Sequence, residues 1–158
     1  MGQNEKKMNY YHLAVLVHRH AARYGKKTAL KHYDRVDKKW KSISWRMFSD
    51  KVMKVAWAMA ELGINEGDKI GIYSQNMPQY FYVDFGAYAN RTASVPIYAT
   101  SSPLQVEYIV EDANIEYLFV GEQFQYNNAF KVQQTSKCLK KIIAFDTNIQ
   151  FIAEDKTS

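Results

Sequence analysis

The chain has 158 residues, of which 47% are hydrophobic and 15% aromatic, and its formal net charge is +5. That length suits one domain with a sizeable core, and the aromatic content excludes a disordered chain. The single cysteine, Cys138, excludes an intrachain disulfide and a cysteine-based metal site, so we expect a cytoplasmic location. Lysines and arginines are scattered in pairs, which predicts a modestly positive, solvated surface and no nucleic-acid partner.

The first part of the chain predicts two helices that flank a hairpin. Residues 1–8 are polar, and we expect them to be flexible. Apolar residues recur at helical spacing over 10–24 and again over 44–62. Between these helices, the strand-like runs 28–33 and 40–45 are separated by a polar turn, which predicts an antiparallel hairpin.

The rest of the chain repeats one pattern. Apolar strand candidates are centred on residues 70, 94, 118 and 142, so each centre lies 24 residues after the one before. The segments between them have helical periodicity, at 78–90, 103–113 and about 122–136. Such strand–helix–strand units predict a parallel sheet with right-handed crossovers and helices on both faces. The predicted fold class is therefore α/β, with an additional N-terminal helix and β-hairpin.

Two of these helix starts carry capping signals, and one helix has an unusual composition. Ser102 and Gln105 form a capping box, and Asn76 is placed to cap the helix that starts near Pro78. The helical segment 80–89 is apolar nearly all round, so it needs burial on more than one side. We expect this helix to contact further protein. In the isolated chain it would be left partly bare, which favours self-association.

Small polar residues follow each predicted parallel strand, at the sheet edge where α/β proteins bind ligands. They lie at 74–76, 98–102, 121–122 and 146–147. These residues can contact a ligand, or they can serve only as helix caps. Capping alone explains Asn76 and Ser102.

No residue pattern predicts catalysis or metal binding. Lys26 follows a glycine, but the other glycine and the Ser/Thr of a phosphate loop are missing around it. The histidines share no helix face, and Cys138 is expected to be a small core residue. Glu107 and Glu111 lie on one helix face and predict a solvated edge. The residues alone therefore predict a parallel α/β domain without catalytic apparatus.

Several short motifs occur in a fixed order between residues 16 and 146. They are Ile43-Ser44-Trp45, Leu62-Gly63-Ile64, Gly67-Asp68-Lys69-Ile70-Gly71-Ile72 followed by Asn76, and Ala93-Ser94-Val95-Pro96-Ile97-Tyr98 followed by Thr100. In this order and spacing, the chain resembles the N-terminal part of AMP-forming acyl-CoA synthetases, which belong to the adenylate-forming ligases. The last motif is most similar to that of the long-chain fatty-acid–CoA ligases.

The resemblance implies a two-step reaction. A fatty acid and ATP·Mg²⁺ give acyl-AMP and pyrophosphate, and the thiol of coenzyme A then displaces AMP to form the thioester. The phosphate loop, the nucleotide and magnesium motifs and the catalytic lysine of the family lie further along its chains, and none occurs here. The resemblance therefore implies the first part of a longer ligase. This part would hold no cofactor, metal ion or catalytic residue, and the longer ligase would be cytoplasmic or peripheral to a membrane.

The resemblance also suggests boundaries and two site residues. Residues 9–146 are expected to form the N-terminal α/β subdomain, and residues 147–158 the start of the next, truncated segment. Tyr98 and Thr100 follow a predicted strand and are the only candidates to line the substrate site of the longer enzyme; a turn set by Pro96 explains them equally well. Two alternatives stay open: a self-standing flavodoxin-like binding or interaction module, and an adenylate-forming ligase for a different carboxylate.

Overall fold

The computed structural model describes residues 13–152, and the expectations for residues 1–8 and for the first turn of the first helix lie outside this range. Eleven helices and strands follow one another within it. Their bounds are α1 (Leu13–Tyr24), β1 (Thr28–Asp34), β2 (Lys39–Ser44), α2 (Trp45–Glu61), β3 (Lys69–Tyr73), α3 (Pro78–Ala89), β4 (Ala93–Ile97), α4 (Pro103–Ala113), β5 (Tyr117–Val120), α5 (Gln123–Thr135) and β6 (Lys141–Ala144). The predicted order of elements is confirmed, with ends that differ by a few residues.

Four strands form a parallel sheet in the order β4-β3-β5-β6, and β1 and β2 form a separate antiparallel hairpin. The 24-residue spacing seen in the sequence is the pairing register of this sheet. Ile70 lies opposite Ser94 on β4, and Leu118 lies opposite Ile142 on β6. The two central strands β3 and β5 pair with an offset of 47 residues, one less than two such spacings, because Gly71 lies opposite Leu118.

Helices cover both faces of the sheet, as predicted, because side chains alternate along each strand. Ile70, Ile72 and Phe119 join a buried cluster with residues of α2 and α3. Leu118 and Val120 point the other way and pack with α4 and α5. The strands are buried on both faces, which is typical of parallel sheets.

The apolar helix α3 is partly covered by other elements of the chain. It lies between the sheet and a third layer, in which α1, the hairpin and α2 share a cluster with Tyr82 and Phe85 of α3. Val83, Gly86 and Ala87 are buried, and Phe81 is 37% exposed. Contact on several sides is confirmed, and most other residues of α3 are only partly buried, so the helix remains partly exposed as expected. Self-association of the chain stays a prediction.

Two helix starts behave differently from each other. The Ser102–Gln105 capping box is confirmed, since each side chain hydrogen bonds the other residue's backbone N–H. The predicted cap at Asn76 is wrong. Met77 occupies the N-cap position of α3 and provides no side-chain hydrogen bond, so this helix start relies on Pro78. The Asn76 side chain is exposed beside the sheet edge instead.

The chain after β6 packs back onto the sheet domain. Ile149 is buried in the cluster formed by α4, α5 and the sheet, and the backbone N–H of Ile152 donates to the Tyr126 hydroxyl. The boundary at residue 146 stays a prediction. No helix among residues 13–152 combines the length and hydropathy that a membrane span needs.

Candidate functional site

The sheet has a topological switch point between β3 and β5. The connection that leaves β3 runs to β4 on one side, and the connection that leaves β5 runs to β6 on the other. Open α/β sheets bind ligands in the crevice that such a reversal creates beyond the carboxyl ends of the strands. Here the crevice lies between the loop at 74–77 and the loop at 121–122.

The floor of this crevice is tightly packed. A Cβ atom on Gly121 would stand 2.4 Å from the Ser74 hydroxyl oxygen and 2.7 Å from Gln75 Oε1, so only glycine fits there. The side-chain amide of Gln75 is buried, and neither its nitrogen nor its oxygen has a hydrogen-bond partner. An amide in this state costs about 1–3 kcal/mol for each unpaired group, so Gln75 is poised to accept a partner that enters the crevice.

The loop that carries Tyr98 and Thr100 lies beside the crevice. Buried polar side chains hydrogen bond to its backbone carbonyls. Gln125 Nε2 donates to the Ala99 carbonyl at 2.9 Å. The Tyr73 hydroxyl donates to the Ser101 carbonyl at 2.6 Å. Burial raises the pKa of Tyr73, so its hydroxyl stays protonated as a donor at neutral pH.

Two side chains of α5 belong to the same hydrogen-bond network. Asn128 Nδ2 donates to the Tyr73 hydroxyl oxygen at 3.0 Å, which gives that oxygen a second partner. Gln125 and Asn128 are buried polar residues on the inner face of α5, one turn apart. Sequence reasoning missed both. The only available signal was their i,i+3 spacing beside the apolar positions of the same helix.

Of the two residues predicted to line a substrate site, one borders a cleft. Tyr98, which is 87% exposed, forms one wall of a cleft of about 580 Å³, with Gln75, Tyr80 and Ile97 among the other lining residues. Thr100 is exposed on the same loop but is not among the residues that line this cleft. A role for either residue in substrate binding stays a prediction.

A second cleft, of about 820 Å³, separates the hairpin from the carboxyl edge of the sheet. Arg35 at the hairpin turn lies 3.8 Å from Glu122 across the opening, with both side chains largely in solvent. The hairpin is fastened by Lys41, which pairs with Asp34 and Asp37. The hydrogen bond from Lys41 lowers the pKa of Asp34 from 3.8 to about 2.

The charge at this edge does not suit a triphosphate. No Lys or Arg stands in the loops at 74–77, 98–102, 121–122 and 145–148, and Glu122 and Asp146 add negative charge. Binding a nucleotide triphosphate requires compensating positive charge or a glycine-rich cradle of N–H groups. Within residues 13–152, no group of three or more His, Cys, Asp or Glu side chains is placed to hold a metal ion.

The other candidate groups have structural roles. Cys138 packs against the core at the end of α5, and burial raises the pKa of its thiol. Glu111 accepts hydrogen bonds from the Ser136 hydroxyl and the Lys137 N–H, and Glu107 accepts one from Thr135. Glu111 is exposed, as expected for a solvated edge, and the two carboxylates also connect α4 to the end of α5.

Comparison with known proteins places this fold in a family. Residues 17–157 match the family described as AMP-binding enzyme. Fatty acyl-CoA synthetase A of Dictyostelium discoideum is 30% identical over 113 residues, which cover 71% of this chain and 16% of the relative. Long chain acyl-CoA synthetase 1 of Arabidopsis thaliana is 29% identical over 126 residues, which cover 78% of this chain and 19% of the relative.

Solved structures give the same fold. Coronafacic acid ligase from Pectobacterium brasiliense matches with a TM-score of 0.79 and 18% identity, over 92% of this chain and 27% of that one. A long-chain-fatty-acid-CoA ligase from Archaeoglobus fulgidus matches with a TM-score of 0.73 and 19% identity, over 85% of this chain and 27% of that one. The chain spans less than a fifth of the length of these two curated relatives. It belongs to the AMP-binding enzyme family, and the part of the family fold that it contains is the N-terminal α/β portion.

Proposed function

We propose that this chain is the N-terminal part of an AMP-forming long-chain fatty-acid–CoA ligase. The longer enzyme joins a fatty acid to coenzyme A at the expense of ATP·Mg²⁺ through an acyl-adenylate. The observation that carries the proposal is the family match over residues 17–157, together with curated relatives named as fatty acyl-CoA and long-chain acyl-CoA synthetases. The longer enzyme would work in the cytoplasm, on its own or at a membrane surface.

We assign the chain a scaffolding role within that enzyme. Its sheet edge has no basic side chain in any of the four loops, so the charge that offsets a transferring phosphoryl group must come from elsewhere in the ligase. Residues 9–146 form the scaffolding unit in this proposal, and residues 147–158 lead into the next segment. Tyr98 and Thr100 line the substrate site of the assembled enzyme. The isolated chain is inactive.

A second candidate is a ligase of the same family for an aromatic or cyclic carboxylate. Solved structures that match the fold include ligases named for anthranilate, benzoate and coronafacic acid. The identities of these three structures to this chain are 21%, 14% and 18%, and those of two solved structures named as long-chain-fatty-acid CoA ligases are 17% and 19%, so these structures do not distinguish the acids. We favour the long-chain acid because curated relatives that cover most of this chain are named as fatty acyl-CoA and long-chain acyl-CoA synthetases.

The test compares the isolated chain with the product of the longer reading frame that encodes it. Each is incubated with ATP, Mg²⁺, coenzyme A and either palmitate, benzoate or anthranilate, and acyl-CoA, AMP and pyrophosphate are measured. We expect acyl-CoA and AMP from the longer protein with palmitate, and none above background from the isolated chain. Turnover by the isolated chain would refute its scaffolding role. A preference for benzoate or anthranilate would select the second candidate, and failure to form AMP with any acid would refute the reaction class.

A further inference from the structure

The positive charge of this chain is concentrated in one segment. Residues 13–33 contain five of the 21 Lys and Arg and no Asp or Glu. The other 16 basic residues equal the 16 acidic ones, so the rest of the chain is neutral as a whole and the net charge of +5 resides in these 21 residues. The prediction of scattered, modest positive charge is therefore wrong for this part of the chain.

The structure brings these bases together at one place. Arg23 ends α1, Lys26 and Lys27 follow it in the turn, and all three side chains are exposed. The Arg23 guanidinium and the Lys27 ammonium lie 5.3 Å and 5.7 Å from the same ring, that of Tyr24. The backbone of Arg46 lies beside the same turn, since its N–H donates to the Gly25 carbonyl, and this residue is also exposed.

We define the basic surface as Arg19, Arg23, Lys26, Lys27 and Arg46. The last four form no ion pair within the described residues, 13–152. The N-terminus of α2 lies at the same place and has no acidic residue in its first turn, while its first three N–H groups are already hydrogen bonded to the Lys27 and Gly25 carbonyls and to the Ser44 hydroxyl. The first acidic residue after Arg46 in the chain is Asp50, a turn further along the helix and exposed.

We propose that the basic surface docks on an anionic lipid bilayer. Basic residues near a bilayer surface are attracted to its anionic headgroups, and adjacent exposed apolar side chains add to the binding. Val15, one turn before Arg19 on α1, is 45% exposed. The α1 helix therefore presents an apolar side chain to solvent beside its basic ones.

Nucleic acid fits this surface less well. Proteins that bind single strands combine bases with free aromatic faces on which nucleobases stack. The aromatic rings beside the basic surface are already occupied with one another. His20 lies 4.6 Å from Trp45 and 5.2 Å from Tyr24 between ring centroids, and all three side chains are partly buried.

The experiment measures binding of the chain to vesicles by co-sedimentation. One set of vesicles is phosphatidylcholine alone, and the other contains about 30% phosphatidylglycerol. We expect binding to the anionic vesicles only, and a steep loss of binding between about 0.1 M and about 0.5 M salt, where the Debye length falls below the size of the patch. Failure to bind anionic vesicles at the lower salt would overturn the proposal.

Two matched variants separate this surface from net charge. The first carries Arg23→Glu, Lys26→Glu and Lys27→Glu, and the control carries Lys69→Glu, Lys131→Glu and Lys137→Glu at exposed positions outside residues 13–33. Both variants change the formal net charge by the same amount. Because each base contributes about fivefold to binding at an anionic surface, the first variant should bind at least about 100-fold more weakly than the control. Equal loss in the two variants would overturn the assignment of the surface.

Two further measurements keep the result interpretable. A milder variant, Lys26→Gln with Lys27→Gln, changes only exposed turn residues and should lose about 30-fold in vesicle binding while its circular dichroism is unchanged. A single-stranded oligonucleotide tested at the same salt should bind more weakly than the anionic vesicles. Tighter binding of the oligonucleotide would overturn the choice of partner. Vesicle binding by this chain and acyl-CoA synthesis by the longer protein can fail independently.

Discussion

Removal of one buried hydroxyl should destabilise the fold measurably. The substitution Tyr73→Phe deletes the donor to the Ser101 carbonyl and the acceptor for Asn128 Nδ2. Tyr73 is fully buried, and Ser101 and Asn128 are 8% and 7% exposed, so water cannot readily replace the lost partner. Both hydrogen bonds are lost, and each leaves one buried group unpaired at about 1–2 kcal/mol, the lower part of the usual range, which totals about 2–4 kcal/mol. For a chain of this size, that lowers Tm by about 5–15 °C.

The assay is urea unfolding followed by circular dichroism, with a matched control. Tyr117→Phe removes a partly buried hydroxyl that donates to the Leu62 carbonyl at 2.9 Å and has no second hydrogen-bond partner within residues 13–152. We expect it to cost about 1 kcal/mol. Amide exchange at residues 99–102 should accelerate in Tyr73→Phe and stay unchanged in the control, because Tyr73 hydrogen bonds that loop and Tyr117 does not.

A double-mutant cycle with Asn128→Ala tests the network itself. Since both variants break the same contact, the cost of the double variant should fall short of the sum of the single costs by about 1 kcal/mol. A Tyr73→Phe cost below about 0.5 kcal/mol, or full additivity with Asn128→Ala, would refute the view that these side chains hold the Tyr98 loop as a unit.

Three further predictions follow from the sheet edge and the hairpin. Gly121→Ala should lower the free energy of unfolding by about 1–3 kcal/mol in urea titrations, because its Cβ would meet the Ser74 hydroxyl; a neutral effect would contradict the tight crevice. Asp34→Asn should remove stability that wild type retains above about pH 4 and loses as pH falls through about 2, since pairing with Lys41 lowers the carboxyl pKa. The free energy of unfolding of both proteins is measured at several pH values. A difference between them that stays constant down to pH 2 would refute this prediction. In the longer ligase, Tyr98→Ala should raise the KM for palmitate at least about threefold in an acyl-CoA assay; an unchanged KM would argue against its place in the substrate site.

The spacing of apolar residues predicted most of the fold, because it shows which side of each short segment is buried. The 24-residue rhythm corresponds to the pairing of Ile70 with Ser94 and of Leu118 with Ile142, and both the parallel sheet and the helices on both faces are confirmed. The Ser102–Gln105 capping box is entirely local and was predicted correctly. The Asn76 cap was wrong because the helix begins one residue later than its side chain can serve, at a position occupied by Met77.

The candidate site was predicted only in outline. The alternation of strands and polar loops places residues 74–76, 98–102 and 121–122 at one sheet edge, and that edge is where the structure has its clefts. The supports beneath the edge could not be predicted, because Gln125 and Asn128 belong to α5 and meet the β4–α4 loop only after two crossovers bring them together. The unpartnered amide of Gln75 is likewise a property of packing.

The sequence by itself determined the order of elements, the α/β class and the family resemblance, since periodicity, turns and short motifs act over a few neighbouring residues. Tertiary structure decided which surfaces remain open. It packed Tyr82 and Phe85 of α3 against α1, the hairpin and α2, a layer that no local pattern of α3 describes. It also brought Arg46 beside the turn after α1, through one hydrogen bond to Gly25. Charge and exposure at a surface depend on residues distant in the chain, so they become visible only once the chain is folded.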